Sequence, residues 1–314
     1  TKQKDVVSDY RCFFCFARAF EKMIQKLDLP SAEKEVLTGK MFRLFSSRES
    51  CFSVPALSRN LHALFREYSG NTDPYKQIKR QSNDHVMSLY PSFKGIVQQS
   101  DNPFETALRL AIAGNIIDYG IFDKYYLEGT VEHVLHANFA IDHAAQLKQA
   151  ISMAKTVLYL GDNAGEIVFD KLFIETIMHS NLWYAVRGAP VINDATIEDA
   201  RYVHLDHVAD IIENGHDAPS TILEHCSKEF NNLYAQADVI ISKGQGNLEG
   251  LIDQTGKKIF FLLMVKCEVI ADVLGVKKGD FVVTENERVL QKNGFNCTSG
   301  RSIDSPSFRK NINF

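Results

Sequence analysis

A short segment near the middle of the chain constrains the fold more than any other. Residues 155–166 read KTVLYLGDNAGE, so an apolar run, Val157 to Leu160, ends at a glycine and is followed at once by Asp162 and Asn163. A short apolar run bounded by a turn is typical of a buried strand. Hard oxygen donors at the carboxyl end of such a strand suit a divalent cation such as Mg²⁺ or Mn²⁺. Open α/β sheets bind ligands beyond that same edge, so the segment predicts both an α/β fold and a metal site.

The composition allows a large core and argues against some partners. With 314 residues, 45% of them hydrophobic, the chain can build two domains or one large one. A net charge of -4 and a pI near 6.2 argue against nucleic acid, which requires a basic surface. The sequence shows no apolar run of membrane-spanning length and no secretory signal, so we expect no membrane partner. Six scattered cysteines favour a reducing, cytoplasmic location. The patterns leave the oligomeric state open.

The hydrophobic pattern changes near residue 150. Before it, apolar spacings of three and four residues predict helices; after it, short apolar runs alternate with helical stretches, as in parallel βαβ units. We therefore predict an all-helical domain over 1–152, a Rossmann-like, mostly parallel α/β domain with the metal and phosphate site over 153–284, and a polar tail over 285–314. The predicted helices of the first part are Arg11 to Leu27, Ser31 to Phe45, Ala56 to Tyr68, Pro74 to Tyr90 and Pro103 to Ile116.

In the second part, strands and helices alternate along the chain. The predicted strands are Thr156 to Leu160, Trp183 to Val186, His207 to Ile212, Asp238 to Ser242 and Lys258 to Leu263. Helices are predicted over 165–179, 195–203, 219–234, 247–253 and 267–274.

Polar residues follow each of the five predicted strands. Because the carboxyl ends of parallel strands lie on one edge, these residues should converge on a single crevice. The pairs Asn163–Glu166 and Thr196–Asp199 also have the spacing of helix caps, but capping does not explain two polar residues in succession. Two close carboxylates repel each other, and a bound metal relieves that repulsion. The clusters are Asp162 and Asn163; Asn193, Asp194 and Asp199; Asn214 to Asp217; Lys243 to Asn247; and Lys266.

The segment SKGQGNLEG is a candidate phosphate site. Gly244 and Gly246 flank Gln245 just before a predicted helix, and backbone amides at such a turn bind phosphate. Lys243 and Lys266 would neutralise the phosphoryl group. The segment matches neither the Walker pattern nor the dinucleotide pattern, and taken alone a plain tight turn is the simpler explanation.

Two further patterns favour structural interpretations. Cys12 and Cys15 form a C-x-x-C on a predicted helix. Such a pair can be redox-active or bind zinc, but no βαβ context surrounds it and no second C-x-x-C follows, which favours packed core thiols. His204 and His207 flank Asp206 in what we interpret as a solvated loop.

Taken together, these segments resemble a known family. GDNAGEIVFD, RGAPVINDATIEDA, ENGHDAP, SKGQGNLEG and VKCEVIAD occur in the order and approximate spacing of the metal-dependent damage-control phosphatases, formerly domain of unknown function family 89. Upstream, CFFCFARAF and LAIAGNIIDYG, around Asn115 and Asp118, resemble the helical half of the branch with an amino-terminal C-x-x-C. The resemblance extends from about Tyr10 to Val283.

The resemblance implies a helical domain packed on a Rossmann-like domain, with a divalent metal (Mg²⁺, Mn²⁺, Co²⁺ or Ni²⁺) held by an Asp-Asn pair and a later Asp. The pair matches Asp162 and Asn163, and the later Asp matches Asp199 in TIEDA. The R-T-x-K pattern of the eukaryotic branch is LMVK here, which leaves sugar-phosphate specificity open. The substrate-contacting positions correspond to Glu166, Gly244, Gln245, Gly246, Asn247 and Lys266. Lys243, just before that loop, is predicted to bind substrate from the phosphate argument above.

We predict a metal-dependent phosphatase acting on small phosphorylated metabolites, such as sugar phosphates or phosphopantetheine-like compounds. Asp162, Asn163 and Lys266 are the predicted catalytic residues. Water is the preferred nucleophile because the D-x-D of haloacid-dehalogenase phosphatases is absent, although attack by Asp162 stays open. One alternative is an S-adenosylmethionine-dependent carboxyl methyltransferase, a role described for relatives, but GDNAG lacks the usual G-x-G cofactor loop. The other is a non-catalytic metal-dependent binding protein.

Overall fold

The computed structural model describes residues 9–46, 53–115 and 124–292. Within these ranges, seven strands form one sheet in the order β1-β7-β6-β5-β2-β3-β4. Every neighbouring pair is parallel except β6 and β7. The α/β class with a mostly parallel, Rossmann-like sheet is therefore confirmed. The strands are β1 Phe139–Asp142, β2 Val157–Leu160, β3 Leu182–Val186, β4 Asp210–Glu213, β5 Val239–Lys243, β6 Ile259–Met264 and β7 Phe281–Glu285.

The helices before the first strand form the amino-terminal part. The Asp9 side chain caps the first of them by accepting from the Arg11 amide at 2.8 Å. The first three helices bury an apolar cluster of their own that includes Phe20, Leu37 and Leu57. The helices of this part are α1 Tyr10–Gln25, α2 Ser31–Ser46, α3 Val54–Ser69, α4 Lys76–Gln99, α5 Pro103–Gly114 and α6 Lys124–His136.

The later helices cover both faces of the sheet. All four residues of β2 are buried, and Tyr159 packs into one apolar cluster while Leu158 packs into the other. A strand buried on both faces reads as a continuous apolar run, which is why β2 was visible in the sequence. None of the described helices is both long and apolar enough to cross a membrane. The later helices are α7 Ala144–Met153, α8 Glu166–Ile177, α9 Ile197–Tyr202, α10 Lys228–Gln236, α11 Gly244–Leu251, α12 Glu268–Leu274 and α13 Asn286–Lys292.

Some elements differ from the sequence prediction. Strand β1 lies inside 1–152, so that range is not wholly helical; it has only four residues, FAID, and they are only intermediate or exposed. Strand β7 was also missed, and α13 lies in the range predicted as a polar tail. The helix predicted over 219–234 begins only at Lys228, because a 3-10 turn at Leu223–His225 precedes it. The division into domains at 152 stays a prediction.

Candidate functional site

Asp162 lies at the carboxyl end of β2 in a buried polar cluster. Only Gly fits at position 161, because a Cβ there would lie 2.3 Å from the Tyr184 hydroxyl. The next residue, Asp162, is 8% exposed. Its Oδ2 accepts hydrogen bonds from Asn115 Nδ2 at 3.0 Å and from Asn163 Nδ2 at 2.9 Å. The close packing of β2 on β3 thus aims this carboxylate into the cluster.

Glu166, the first residue of α8, shares these partners. It is fully buried and accepts from Asn163 Nδ2 at 3.0 Å and from Asn115 Nδ2 at 3.1 Å. Asn163 is not the cap of α8, since that position is held by Gly165 at φ 78°. The Asn163 carboxamide instead bridges Asp162 and Glu166.

Asp194 lies beside Asp162 because the loop after β3 folds back on the turn after β2. Asn163 and Asp194 form an antiparallel bridge, and the Ala195 amide donates to the Asp162 carbonyl at 2.8 Å. Arg187 Nε donates to Asp194 Oδ2 at 2.6 Å, and its Nη2 lies 3.5 Å from Asp162 Oδ1. The buried guanidinium of Arg187 therefore lies between the two carboxylates.

Asp199, the predicted third metal ligand, has a different environment. It completes a capping box at the start of α9, with its Oδ2 accepting from the Thr196 amide at 2.9 Å and the Thr196 hydroxyl at 2.8 Å. The same oxygen accepts from Lys79 Nζ at 3.0 Å, and Oδ1 accepts from Asn83 Nδ2 at 3.1 Å. Both oxygens of Asp199 are thus engaged by groups other than Asp162 and Asn163.

The carboxylates of the cluster perturb one another. Burial, with Glu166 and Asp194 close by, raises the pKa of Asp162 to about 8. Burial also raises the pKa of Asp194, although Arg187 opposes the shift. Burial acts to raise the pKa of Glu166, but the Lys243 ammonium, together with Lys266 and the Asn115 hydrogen bond, lowers that pKa overall. Burial and the repulsion between neighbouring carboxylates thus both oppose the charged forms of Asp162 and Asp194.

Lys243 does not match its predicted role as a phosphate-facing cation. The side chain is completely buried, and its ammonium donates to the Ala111 carbonyl at 2.8 Å, to Glu166 Oε1 at 2.7 Å and to Asp170 Oδ1 at 2.5 Å. An ammonium group has three N–H donors, so none remains for a phosphoryl oxygen. In the described conformation, Lys243 holds Glu166 and Asp170 in place.

The predicted phosphate loop is the first turn of α11. Gly244 has φ 78°, and a Cβ there would lie 1.9 Å from Asp162 Oδ2. Asn247 is buried, and its amide donates to the Gly161 and Lys243 carbonyls at 3.0 and 2.9 Å. The Gln245 side chain accepts from the Lys266 amide at 3.1 Å. Asn247 is therefore structural, and the glycine brings the start of the helix against Asp162.

Lys266 is an exposed cation next to this pocket. It follows β6 by two residues, and its charge lowers the pKa of both Asp162 and Glu166. The side chain is solvent-accessible, unlike that of Lys243. Of the two lysines predicted to face phosphate, Lys266 is thus the exposed one.

The ENGHDAP segment joins the helices to the sheet edge. Asn214 Oδ1 accepts from the Gly188 amide at 3.0 Å, which fixes the loop after β3. The Asp217 carboxylate pairs with Arg59 Nε and, at 2.8 Å, with Arg66 Nη2, both on α3. This cluster therefore ties loops together.

The C-x-x-C pair is only partly packed. Burial raises the pKa of the Cys12 thiol to about 11, so it stays protonated. Cys15 is exposed, which corrects the interpretation of both residues as core thiols. Asp118 lies outside the described residues.

Two residues that contact Asp162, Arg187 and Asn115, were not predicted as site residues from the sequence. Arg187 directly follows β3, but the strand-end argument considered acids, amides and lysines and left arginine out. Asn115 was noticed only within the resembling segment LAIAGNIIDYG. Among the described residues, Asn115 Oδ1 and Arg187 Nη2 are both buried without a hydrogen-bond partner. A water or an ion bound at these two atoms would satisfy them.

Known proteins resemble the chain over nearly this whole structure. Residues 8–282 match the family model described as the damage-control phosphatase ARMT1-like domain. A damage-control phosphatase of Archaeoglobus fulgidus is 38% identical over 72% of this chain and 80% of its own length. A damage-control phosphatase of Pyrococcus horikoshii is 32% identical over 88% of this chain and 98% of its own length. A solved DUF89 family protein from Pyrococcus horikoshii superposes with TM-score 0.81 and 31% identity, covering 88% of this chain and 98% of that one. These matches show that the chain belongs to the ARMT1-like damage-control phosphatase family and is a phosphatase.

Proposed function

We propose that this phosphatase depends on a divalent metal and hydrolyses small phosphorylated metabolites of the sugar-phosphate or phosphopantetheine-like kind. The observation that carries the proposal is the crowding of Asp162, Glu166 and Asp194 in one buried pocket, with the pKa of Asp162 raised to about 8. A divalent cation would offset that repulsion and return Asp162 to its charged form.

The donor chemistry of the pocket fits such an ion. Its side chains offer carboxylate and amide oxygens, which are the ligands of Mg²⁺ and Mn²⁺, and Co²⁺ and Ni²⁺ also accept them. The missing Cβ of Gly244 leaves space beside Asp162 Oδ2. Turning the Asn163 carboxamide over would present its oxygen in place of its nitrogen, since the two ends of an amide are assigned from the hydrogen-bond network.

The third ligand in this proposal is Asp194 in place of Asp199. Asp194 is joined to the Asp162 turn by backbone contacts and shares Arg187 with Asp162. Asp199, by contrast, already accepts from Lys79, Asn83 and Thr196, and each of these bonds would be strained or lost if it turned to a metal.

Protein groups around the pocket would then bind and orient the phosphoryl group. When bound, the metal supplies a Lewis acid for the phosphoryl oxygens and lowers the pKa of a coordinated water. The Lys266 ammonium would stabilise negative charge on the equatorial oxygens, together with amide N–H groups of Gly244, Gln245 and Gly246 at the start of α11. Lys243 would fix the position of Glu166. We favour water as the nucleophile.

The test is a chelation and add-back experiment. Protein stripped with a chelator should release little phosphate from a panel of phosphorylated metabolites, and adding Mg²⁺, Mn²⁺, Co²⁺ or Ni²⁺ should restore the rate. Undiminished activity in the chelated protein would refute metal dependence. A parallel assay with S-adenosylmethionine checks the methyltransferase alternative, which methyl transfer to a carboxylate would support.

A further inference from the structure

A second group of metal-binding side chains lies outside the phosphatase pocket, on the turn that follows α9. Along residues 203–206, apolar and polar side chains alternate, and a second histidine follows at 207. Val203 and Leu205 are completely buried, whereas His204, Asp206 and His207 are exposed. The two buried residues anchor the turn and leave the three polar side chains together on the solvent side.

The three polar side chains are already close to each other. One possible ligand atom from each of His204, Asp206 and His207 lies within 4.8 Å of the others, the one such group of three among the residues that the structure describes. The two imidazole rings stack with centroids 5.2 Å apart and planes 23° apart. Rotation of these exposed side chains, which brings the donors closer together, would place all three on one ion.

The backbone beneath these side chains is fixed from several directions. The His204 amide donates to the Arg201 carbonyl at 3.1 Å, and the Ala209 amide donates to the Leu205 carbonyl at 3.2 Å. Lys171 of α8 donates to the Val203 carbonyl at 3.0 Å. Ligands held on a rigid turn lose less conformational entropy when they bind an ion.

We propose that His204, Asp206 and His207 form a surface site for a transition-metal ion such as Zn²⁺ or Ni²⁺. Two imidazoles and a carboxylate suit these ions, whereas Mg²⁺ prefers oxygen ligands. Because the three side chains are exposed, water fills the remaining coordination positions.

The site differs in chemistry from the phosphatase pocket and does not depend on it. The pocket offers buried oxygen donors around Asp162, and the turn offers exposed nitrogen donors. In excess Mg²⁺, the Zn²⁺ binding that is lost when both histidines are replaced therefore reports the surface site, and the Zn²⁺ binding that persists belongs to other sites. Counting bound metal without this distinction would overstate the stoichiometry of the catalytic ion.

The test compares two double variants by calorimetric titration with Zn²⁺ in excess Mg²⁺. His204→Gln with His207→Gln removes both imidazoles of the site. The matched control is His133→Gln with His136→Gln on α6, an exposed pair with the same spacing that belongs to no such three-donor group in the described part of the chain. Neither pair belongs to the phosphatase pocket, so the Mg²⁺-supported phosphatase rate should stay at the parent value in both.

We expect the parent and the control to bind Zn²⁺ alike. The His204 and His207 double variant should lose one equivalent, or bind it at least roughly tenfold more weakly, since even residues behind the ligands change affinity by that factor. Asp206→Asn should weaken binding less. Circular dichroism checks that each variant is folded. The same Zn²⁺ isotherm in the parent and the His204 and His207 variant would overturn the proposal, as would an equal loss in the control.

Discussion

At the residue scale, Asp194 and Asp199 provide a direct test of the proposed metal pocket, because they lie in one segment and have different partners. We expect Asp194→Asn to weaken divalent-metal affinity by roughly tenfold or more, since in the proposed site it would remove a ligand charge beside Asp162. Asp199→Asn should keep metal affinity but lower the free energy of unfolding by roughly 1–3 kcal/mol, through its cap and its Lys79 bond. Calorimetric metal titration and urea unfolding of both variants check this. The reverse pattern would restore Asp199 as the ligand.

Substitutions of Lys266 and Lys243 should have different effects, one on catalysis and the other on stability. Lys266→Met should lower kcat by about a hundredfold or more while changing KM less, because the lost charge acts mainly on the transition state. Lys243→Met leaves Glu166 and Asp170 buried without their cation, so we expect a loss of roughly 3–5 kcal/mol of stability. Steady-state kinetics and urea unfolding measure the two effects. A folded, stable Lys243→Met protein with weakened substrate binding would support a direct phosphate contact instead.

His62 on α3 gives a pH dependence that can be measured apart from catalysis. Burial, with the Arg66 charge nearby, lowers the pKa of His62 from its ordinary value of 6.5 to about 4. Between pH 4 and 6.5 the unfolded chain binds this proton more readily than the folded protein does. The contribution of neutral His62 to the free energy of unfolding is therefore fully present above pH 6.5 and is lost as the pH falls towards 4. The contribution is on the order of 3 kcal/mol. In His62→Gln, the free energy of unfolding measured with urea should depend less on pH in this range. An unchanged pH dependence would contradict the assignment.

At this scale the sequence revealed which residues are near the site more reliably than what they contact. Asp162 and Asn163 were found because they directly follow an apolar strand. Asp199 was chosen over Asp194 because the resemblance gives order and spacing, whereas the fold of the loop after β3 decides which carboxylate meets Asp162. The burial of Lys243 depends on α5 and α8 packing above β5, which no local pattern encodes.

At the element scale, the start of α11 against β2 gives a matched pair of glycine substitutions. Gly244 and Gly256 have similar positive φ values of 78° and 74°, so alanine strains the backbone alike at both. A Cβ at Gly244 would meet Asp162 Oδ2 at 1.9 Å, whereas at Gly256 it meets nothing within 4 Å. Gly244→Ala should therefore abolish metal binding and phosphatase activity, and Gly256→Ala should cost only stability. Equal activity in the two variants would show that α11 does not depend on this close approach.

The sequence predicted the central strands better than the edges of the fold. Strands β2, β3, β5 and β6 appear as apolar runs because both faces of the sheet are covered. β1 is a four-residue edge strand whose apolar run, Phe139 to Ile141, is short and not fully buried. The predicted fourth helix ended before Pro91, yet α4 continues to Gln99 because Val86, Phe93 and Val97 share one buried face. The free energy gained by packing that face outweighs the loss of the backbone hydrogen bond that the exposed Pro91 cannot donate.

At the scale of the whole molecule, ion pairs between α3 and the ENGHDAP loop hold the helices over the sheet edge. Asp217→Asn should lower the free energy of unfolding by roughly 1–3 kcal/mol and reduce kcat/KM, because Arg59 and Arg66 lose their shared partner. The control is Glu67→Gln, which breaks the exposed pair with Lys40 and should change stability by less than about 0.5 kcal/mol. Thermal unfolding and steady-state kinetics check both variants. Equal effects would mean that Asp217 is an ordinary surface charge.

The position of β7 in the sheet limits how far the sheet can form while the chain is being synthesised. β7 pairs in parallel with β1 on one side and antiparallel with β6 on the other, although it is the last of the described strands to leave the ribosome. Until residues 281–285 emerge, both neighbouring strands have open edges that can pair with other chains. A nascent chain stalled before that point would therefore tend to aggregate, and the sheet becomes continuous only when this final strand inserts between two that were made before it.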